Sequence, residues 1–179
     1  MSVRYNFTKK FQEKVQKLLL NRGISAKSEQ DLDIEKIKAP VDLYSIDSHG
    51  KEFLIEFEIH RADPSNNIIK IAYWLEKDKN ERDITVIQIF SPQYTLQSRD
   101  SAKKEVAKYL GKTLIESIHG QKYVPINIEG LSRTDFNDIY KSFKSGKSET
   151  KPDPEKCESM VSLAKQVSDK IWTIMRDTL

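Results

Sequence analysis

The sequence lacks the residues on which disulfide-bonded and zinc-binding proteins depend. Its 179 residues include one cysteine, Cys157, so no disulfide can form within the chain, which favours a reducing compartment. Its three histidines form no cluster with that cysteine, which argues against a structural zinc site. Any bound metal would therefore have oxygen ligands, and these favour magnesium, manganese or calcium.

Long apolar runs are also missing. No stretch approaches the ~20 residues that cross a bilayer, and the start, MSVRYNFTKKFQEK, has no apolar segment of the kind a secretion signal requires. We therefore expect a cytoplasmic protein without a membrane partner. The net charge of +3 is only mildly basic, so it neither demands nor excludes a polyanionic partner.

The spacing of apolar residues predicts an α/β fold, a central mixed β-sheet flanked by α-helices. In chain order the predicted elements are a helix at 8–22, a polar connection, strands at 41–46 and 52–59, a helix from 63, a strand at 84–90, a helix at 99–118 that Gly111 could interrupt, a strand at 123–128 and a helix at 133–144. The two strands at 41–59 form an antiparallel hairpin, and the helical crossover that follows requires a parallel strand.

The far end of the chain is predicted to form a separate segment. Residues 1–144 are expected to form the main domain, and 145–155 (SGKSETKPDPE) have the polar, proline-containing composition of a linker. Residues 156–179 follow as a C-terminal amphipathic helix, which could dock on the domain or on a partner chain.

The strand KEFLIEFEIH holds the most informative pattern. Alternate residues of a strand share a face, so one face is apolar, with Phe53, Ile55, Phe57 and Ile59. The other face carries Leu54, Glu56, Glu58 and His60. Asp42 lies in the adjacent hairpin strand, within reach of the two glutamates, and three converging carboxylates suit a hard divalent ion. The alternative is a solvent-exposed sheet face, where alternating glutamates are ordinary.

These residues resemble the PD-(D/E)xK nuclease superfamily, which includes restriction endonucleases, Holliday-junction resolvases and repair nucleases. Pro40-Val41-Asp42 is similar to the superfamily's Pro-Asp, with one residue inserted, and Glu56-Phe57-Glu58 is similar to its acidic-x-Lys. Upstream, the helix segment FQEKV with Glu13 resembles the superfamily's first helix, and a helix and the apolar strand ITVIQIF follow the motif. The resemblance covers roughly residues 8–95.

The resemblance implies a restriction-endonuclease-like sandwich and a divalent-metal-dependent endonuclease that uses Mg²⁺ or Mn²⁺. It implies that Asp42 and Glu56 are metal ligands and that Glu13 is an outer ligand. Glu58 stands where the superfamily usually has lysine, as in some restriction enzymes with Glu-x-Glu. Glu58 could orient or deprotonate the water, or it could hold a second ion. The identity of the general base therefore stays open.

Several cations and polar residues are candidates for contact with nucleic acid, DNA in particular. They are Lys9, Lys10, Lys14, His60, Arg61, Asn66 and Lys70. Lys70 could replace the missing catalytic lysine from the following helix, or it could be a solvated lysine. His60 could assist at the phosphate, although a residue at the rim of the site is more typical. Trp74 is expected to pack in the interior.

Two other functions remain open. The first is a catalytically inactive nuclease fold that only binds nucleic acid, which the glutamate at position 58 favours. The second is a cytosolic interaction module whose C-terminal helix is the contact surface and which binds no metal. A nuclease that cuts both strands with one site per chain would act as a homodimer.

Overall fold

The computed structural model describes residues 4–34, 37–78, 82–96, 99–142 and 158–177. The strands are β1 (Ala26–Ile34), β2 (Ile37–Ile46), β3 (Glu52–Glu58), β4 (Ile84–Phe90), β5 (Thr95–Leu96), β6 (Arg99–Asp100) and β7 (Lys122–Asn127). The helices are α1 (Arg4–Leu20), α2 (Ser65–Lys77), α3 (Ala102–Leu110), α4 (Arg133–Ser142) and α5 (Glu158–Arg176). None of the helices in these ranges is both long and apolar enough to span a membrane.

The main sheet has five strands in the order β1-β2-β3-β4-β7. Strand β2 runs antiparallel to both β1 and β3, whereas β4 runs parallel to β3 and β7 runs parallel to β4. Helix α2 makes the crossover between β3 and β4, as parallel pairing requires. The expectation of an α/β fold with a mixed sheet, antiparallel in the hairpin and parallel across the crossover, is confirmed.

One edge of the sheet differs from the prediction. The segment expected to be a polar connection forms the edge strand β1, which pairs with β2 along its length. Its acidic residues have low strand propensity, but pairing with a neighbouring strand overrides local preference. Leu32 is buried and Ala26 packs against core residues, whereas Asp31 and residues 27–29 are exposed, so the sequence of this strand shows little apolar signal.

Both faces of the sheet are covered. Phe53, Ile55 and Phe57 lie in one core with residues of α1, α4 and α5. Leu54 and Val86 lie in a second core on the opposite face, beneath α2. The alternative of a solvent-exposed second face is therefore wrong, and the glutamates of β3 project into a protein interior.

The predicted long helix at 99–118 is shorter than expected and changes geometry at a glycine. Ser101 caps α3 by accepting a hydrogen bond from the Lys104 amide, and the chain continues past Leu110 as π-helical turns over Gly111–Ile115. A Cβ on Gly111 would lie 2.3 Å from the ring of Tyr123. The predicted interruption at Gly111 is thus present, and its cause is the close approach of strand β7.

The C-terminal helix belongs to the main core. Val167 and Ile171 of α5 are fully buried with α1, and an ion pair joins Arg22, in the turn after α1, to Asp169 of α5. The predicted linker at 145–155 lies outside the described residues.

Candidate active site

Asp42 and Glu56 are neighbours on paired strands. Leu43 pairs with Ile55, so the next positions along β2 and β3 bring Asp42 beside Glu56. The Phe57 amide donates a hydrogen bond of 2.8 Å to Asp42 Oδ2, and the Asp42 amide donates one of 3.3 Å to Glu56 Oε1. The strand backbones thus fix both carboxylates. Burial raises the pKa of Asp42, while the bond from Phe57 partly offsets the rise.

Glu56 is completely buried, and its second oxygen is held from the opposite side by α2. The side-chain amide of Asn67 donates a hydrogen bond of 2.6 Å to Glu56 Oε2. Burial raises the pKa of Glu56 well above its usual value, and the neighbouring charge of Asp42 raises it further. The neutral side-chain amide of Asn67 orients this carboxylate without neutralising its charge. An ionised Glu56 therefore still requires a cation nearby.

Glu58 has one satisfied oxygen and one without a hydrogen bond. Gln88 of β4 donates to Glu58 Oε1 over 3.1 Å, and Tyr123 of β7 donates to Gln88 Oε1 over 2.6 Å. Glu58 Oε2 is buried and accepts no hydrogen bond from a described residue. Burial raises the pKa of Glu58 to about 7, so this carboxylate titrates near neutral pH.

Arg61 provides the positive charge that faces these acids. Its Nη2 lies 3.7 Å from Asp42 Oδ1 and its Nε lies 3.8 Å from Glu58 Oε2, which are ion-pair distances too long for hydrogen bonds. The Tyr94 hydroxyl accepts from the Arg61 amide and donates to the Arg61 carbonyl. The backbone is thereby fixed, whereas the side chain is 41% exposed and can reorient.

The charges around the site are unequal. Two fully buried glutamates and the mostly buried Asp42 face one arginine whose side chain is partly in solvent. Burial by itself would lower the pKa of Arg61, but the three carboxylates raise it instead. Like charges this close need a cation to remain ionised together, and carboxylate oxygens are the ligands that hard divalent ions prefer.

The donors fit a divalent ion in chemistry, but the side chains are not arranged as a finished ligand set. Within the described part of the chain, no group of three or more His, Cys, Asp or Glu side chains stands ready to hold a metal ion. Both oxygens of Glu56 already accept hydrogen bonds, and the Arg61 guanidinium lies between Asp42 and Glu58. Glu58 Oε2 accepts no hydrogen bond from a described residue and lies 3.8 Å from Arg61 Nε, so a bound ion would take the place of that guanidinium. Closing three carboxylates around an ion would require Arg61 to turn away.

A cleft of about 320 Å³ opens beside Asp42, between α1, the end of β3 and α4. Among its lining residues are Thr8, Lys9, Gln12, Glu29, His60 and Tyr140. Of the three carboxylates only Asp42 lines this cleft, so a small ion, water or part of a larger substrate can reach Asp42 directly, whereas Glu56 and Glu58 are buried.

Three residues at the site were not predicted from the sequence. Gln12 hydrogen bonds to Asp42 and lowers the pKa of that carboxyl. Asn67 holds Glu56. Glu29 lines the cleft with a left-handed backbone, φ 53°, at the one position where the β1–β2 ladder is interrupted, opposite Asp42. Such a conformation in a residue other than glycine is strained and often marks a functional site.

The predicted residues of α1 divide into two groups. Lys9 lines the cleft and lies 3.9 Å from Glu29. Glu13 is partly exposed and pairs with Lys10 at 3.0 Å, so the structure does not bring this predicted outer ligand to the carboxylates. Lys14 is half-buried and lines neither this cleft nor the groove beside it.

The remaining candidates follow the end of β3. Asn66 is exposed, one position away from the residue that contacts Glu56, and Lys70 is half-buried with no hydrogen bond or ion pair to a described residue. His60 stacks on Tyr140 with ring centroids 4.7 Å apart, which places it at the rim of the cleft. Trp74 is buried, as predicted, with the Arg82 guanidinium over its ring.

Comparison of the chain with protein-family models, with curated proteins and with solved structures returned no match. The functional argument therefore rests on the geometry of the acidic site and on the motif that the sequence carries.

Proposed function

We propose that this chain is a divalent-metal-dependent nuclease that hydrolyses phosphodiester bonds in nucleic acid, with DNA as the favoured substrate. The observation that carries the proposal is the group of buried carboxylates, Asp42, Glu56 and Glu58, which adjoins a cleft at Asp42 and, in the described part of the chain, forms ion pairs with a single arginine, Arg61. The resemblance of the same residues to the PD-(D/E)xK superfamily supports the choice of substrate.

Asp42, Glu56 and Glu58 would hold the ion, Mg²⁺ or Mn²⁺. When bound, such an ion supplies positive charge to the scissile phosphate and lowers the pKa of a coordinated water. The chain's own residues do the positioning. Hydrogen bonds from the Phe57 amide and from Asn67 hold Asp42 and Glu56 in place, so these carboxylates lose little freedom when they bind.

Glu58 is the residue suited to proton transfer. With a pKa of about 7 it is partly ionised at neutral pH, and its free Oε2 can accept a proton from the attacking water. The water oxygen forms a bond to phosphorus as the bond from phosphorus to the leaving sugar oxygen breaks. The leaving oxygen takes its proton from solvent, and Glu58 later returns its proton to solvent.

Arg61 would serve the substrate once a cation occupies the space between the acids. Its backbone is fixed by Tyr94, and its partly exposed guanidinium can turn from Asp42 and Glu58 toward a phosphate. A guanidinium matches the geometry of phosphate oxygens, which makes arginine the preferred residue for this contact.

A cleavage assay tests this proposal directly. Purified protein is incubated with single- and double-stranded DNA and RNA in Mg²⁺ or Mn²⁺, with EDTA as the metal-free control. We expect metal-dependent cleavage that Asp42→Ala removes and that Glu116→Ala, an exposed acid in the turn after the π-helical residues, leaves intact. Cleavage that persists in EDTA, or no cleavage of any substrate with either metal, would refute the nuclease.

A second candidate is a nuclease fold that binds nucleic acid without cutting it. The position of Arg61 favours it, because a guanidinium between Asp42 and Glu58 supplies part of the charge that an ion would bring. The two candidates differ in one measurement. Binding of nucleic acid without metal-dependent cleavage, and without heat of metal binding in calorimetry, would support the second.

A further inference from the structure

A second groove, of about 480 Å³, lies beside the acidic cleft. It shares His60 and Arg61 with that cleft and extends toward the start of α3 and α4. None of its lining residues is acidic, whereas the lining includes Arg61, Lys103 and Arg133. A basic groove thus meets an acidic cleft at Arg61.

Two of these cations occupy positions that helix stability disfavours. Lys103 is the second residue of α3 and Arg133 is the first residue of α4. The helix dipole places partial positive charge at this end, so acids are favoured there and cations are not. Two such placements that face the same groove are better explained by a bound anion than by folding.

The two cations are also free to bind a ligand. Arg133 is exposed and has no ion pair with a described residue. Lys103 is exposed and donates a hydrogen bond of 2.6 Å to the carbonyl of Ala62. Because this acceptor is neutral, Lys103 keeps its full positive charge. Of two acids near this wall, Asp100 pairs with Lys104. The pKa of Asp63 is lowered by hydrogen bonds from Ser65 and, to a smaller extent, by the nearby charge of Lys103.

We propose that this groove binds the phosphodiester backbone of the nucleic-acid strand whose scissile phosphate enters the acidic cleft. This proposal rests on the proposed nuclease function, because that function requires the strand to run from the groove into the acidic cleft. Lys103 and Arg133 contact phosphates beside the scissile one, and Arg61 contacts the phosphate at the junction.

The groove can be tested separately from catalysis. The double variant Lys103→Ala/Arg133→Ala removes two cations from the groove, and Lys112→Ala/Lys141→Ala removes two exposed lysines outside it, from the turns after α3 and from α4. Binding is measured by fluorescence anisotropy in EDTA, with a labelled DNA duplex and the matching single-stranded DNA and RNA, over a range of salt concentrations. Far-UV circular dichroism verifies that both variants are folded.

We expect the groove variant to bind the preferred probe roughly tenfold or more weakly than the parent and to lower the log–log salt slope by about two, because two phosphate contacts are lost. The control pair should resemble the parent. Three results would refute binding at the groove. They are equal losses in the two variants, parental affinity in the groove variant, and no binding of any probe by the parent. Equal affinity for inorganic polyphosphate would overturn its assignment to nucleic acid.

Binding through the groove without metal-dependent cleavage would uphold the groove and refute the nuclease. Metal-dependent cleavage by the parent, combined with unchanged binding in the groove variant, would support the nuclease and refute the groove. The two proposals therefore fail by different results.

Discussion

The side-chain amide of Asn67 donates a hydrogen bond of 2.6 Å to the buried Oε2 of Glu56. This contact joins helix α2 to strand β3 inside the protein, where an unpaired carboxylate would be costly. Because the donor is neutral, it orients Glu56 without supplying charge, and the pKa of that carboxyl stays well above its usual value through burial. The arrangement holds a ligand in place but leaves its charge for a cation to balance.

The first prediction concerns metal binding at this carboxylate. Glu56→Gln keeps the size of the side chain and removes one negative charge, so we expect the calorimetric signal of Mn²⁺ binding to disappear or weaken strongly. Asn67→Ala should lower the Mn²⁺ affinity by roughly 10–100-fold, as is typical when the group that orients a ligand is lost. Glu13→Gln, on the exposed face of α1, is the control and should bind as the parent does. Parental binding by Glu56→Gln would exclude this site.

The second prediction is a dependence of stability on pH. The pKa of Glu58 is about 7 in the folded state and 4.5 in the reference state, so the folded protein holds an extra proton between these values. Stability from this group is therefore greatest below pH 4.5 and falls as pH rises toward 7. The loss amounts to about 3 kcal/mol for a buried group.

Urea denaturation at several pH values measures this effect. Glu58→Gln cannot ionise, so it should be less sensitive to pH than the parent and more stable than the parent above neutral pH. Glu116→Gln should keep the parental slope. Mg²⁺ should stabilise the parent more at high pH than at low pH, because ionised carboxylates bind it. A slope unchanged in Glu58→Gln would show that Glu58 does not titrate in this range.

The third prediction concerns the glycine at the end of α3. A Cβ at Gly111 would lie 2.3 Å from the buried ring of Tyr123, so Gly111→Ala must displace that ring or the helix. We expect a loss of about 1–3 kcal/mol, the usual cost of overpacking. Displacement of Tyr123 would also remove the hydrogen bond that orients Gln88 toward Glu58. The double variant Gly111→Ala/Tyr123→Leu, which removes the ring, should recover part of the stability, and no recovery would contradict the steric explanation.

Sequence periodicity was sufficient to predict how the strands arrange the three acids. Alternation along β3 placed Glu56 and Glu58 on one face, and the hairpin placed Asp42 beside them, because strand geometry repeats every two residues regardless of what packs above. The restriction-endonuclease-like identity and the metal stay predictions, since neither follows from a coarse α/β fold.

The helical residues of the site were harder to predict, because one position on a helix turns a side chain by about 100°. Asn67 rather than Asn66 faces Glu56, and Gln12 rather than Glu13 reaches Asp42. Which residue of each helix faces the site depends on how that helix packs on the sheet. Periodicity within one helix does not determine this packing. Glu29 was missed because its strand is polar and pairs only at an edge.

The last prediction asks whether Glu58 takes part in the chemical step. If its carboxylate accepts the proton of the attacking water, Glu58→Ala should lower the turnover rate by ~10²–10⁴-fold while nucleic-acid binding stays near the parental value. Glu58→Lys restores the commoner superfamily pattern and should retain part of the activity, because a lysine can still orient a water that the ion has acidified. Parental activity should rise with pH as Glu58 ionises, with a midpoint below the metal-free pKa of about 7 because a bound cation favours the ionised carboxylate.

Single-turnover cleavage rates and anisotropy on the same preparations distinguish these effects. Lys70→Ala is the matched comparison, because Lys70 is the alternative source of the missing lysine and contacts none of the three carboxylates. A parental rate in Glu58→Ala together with a large loss in Lys70→Ala would transfer the role to Lys70. It would also mean that α2 moves toward the acids when substrate binds, since the side chain does not reach them in this structure.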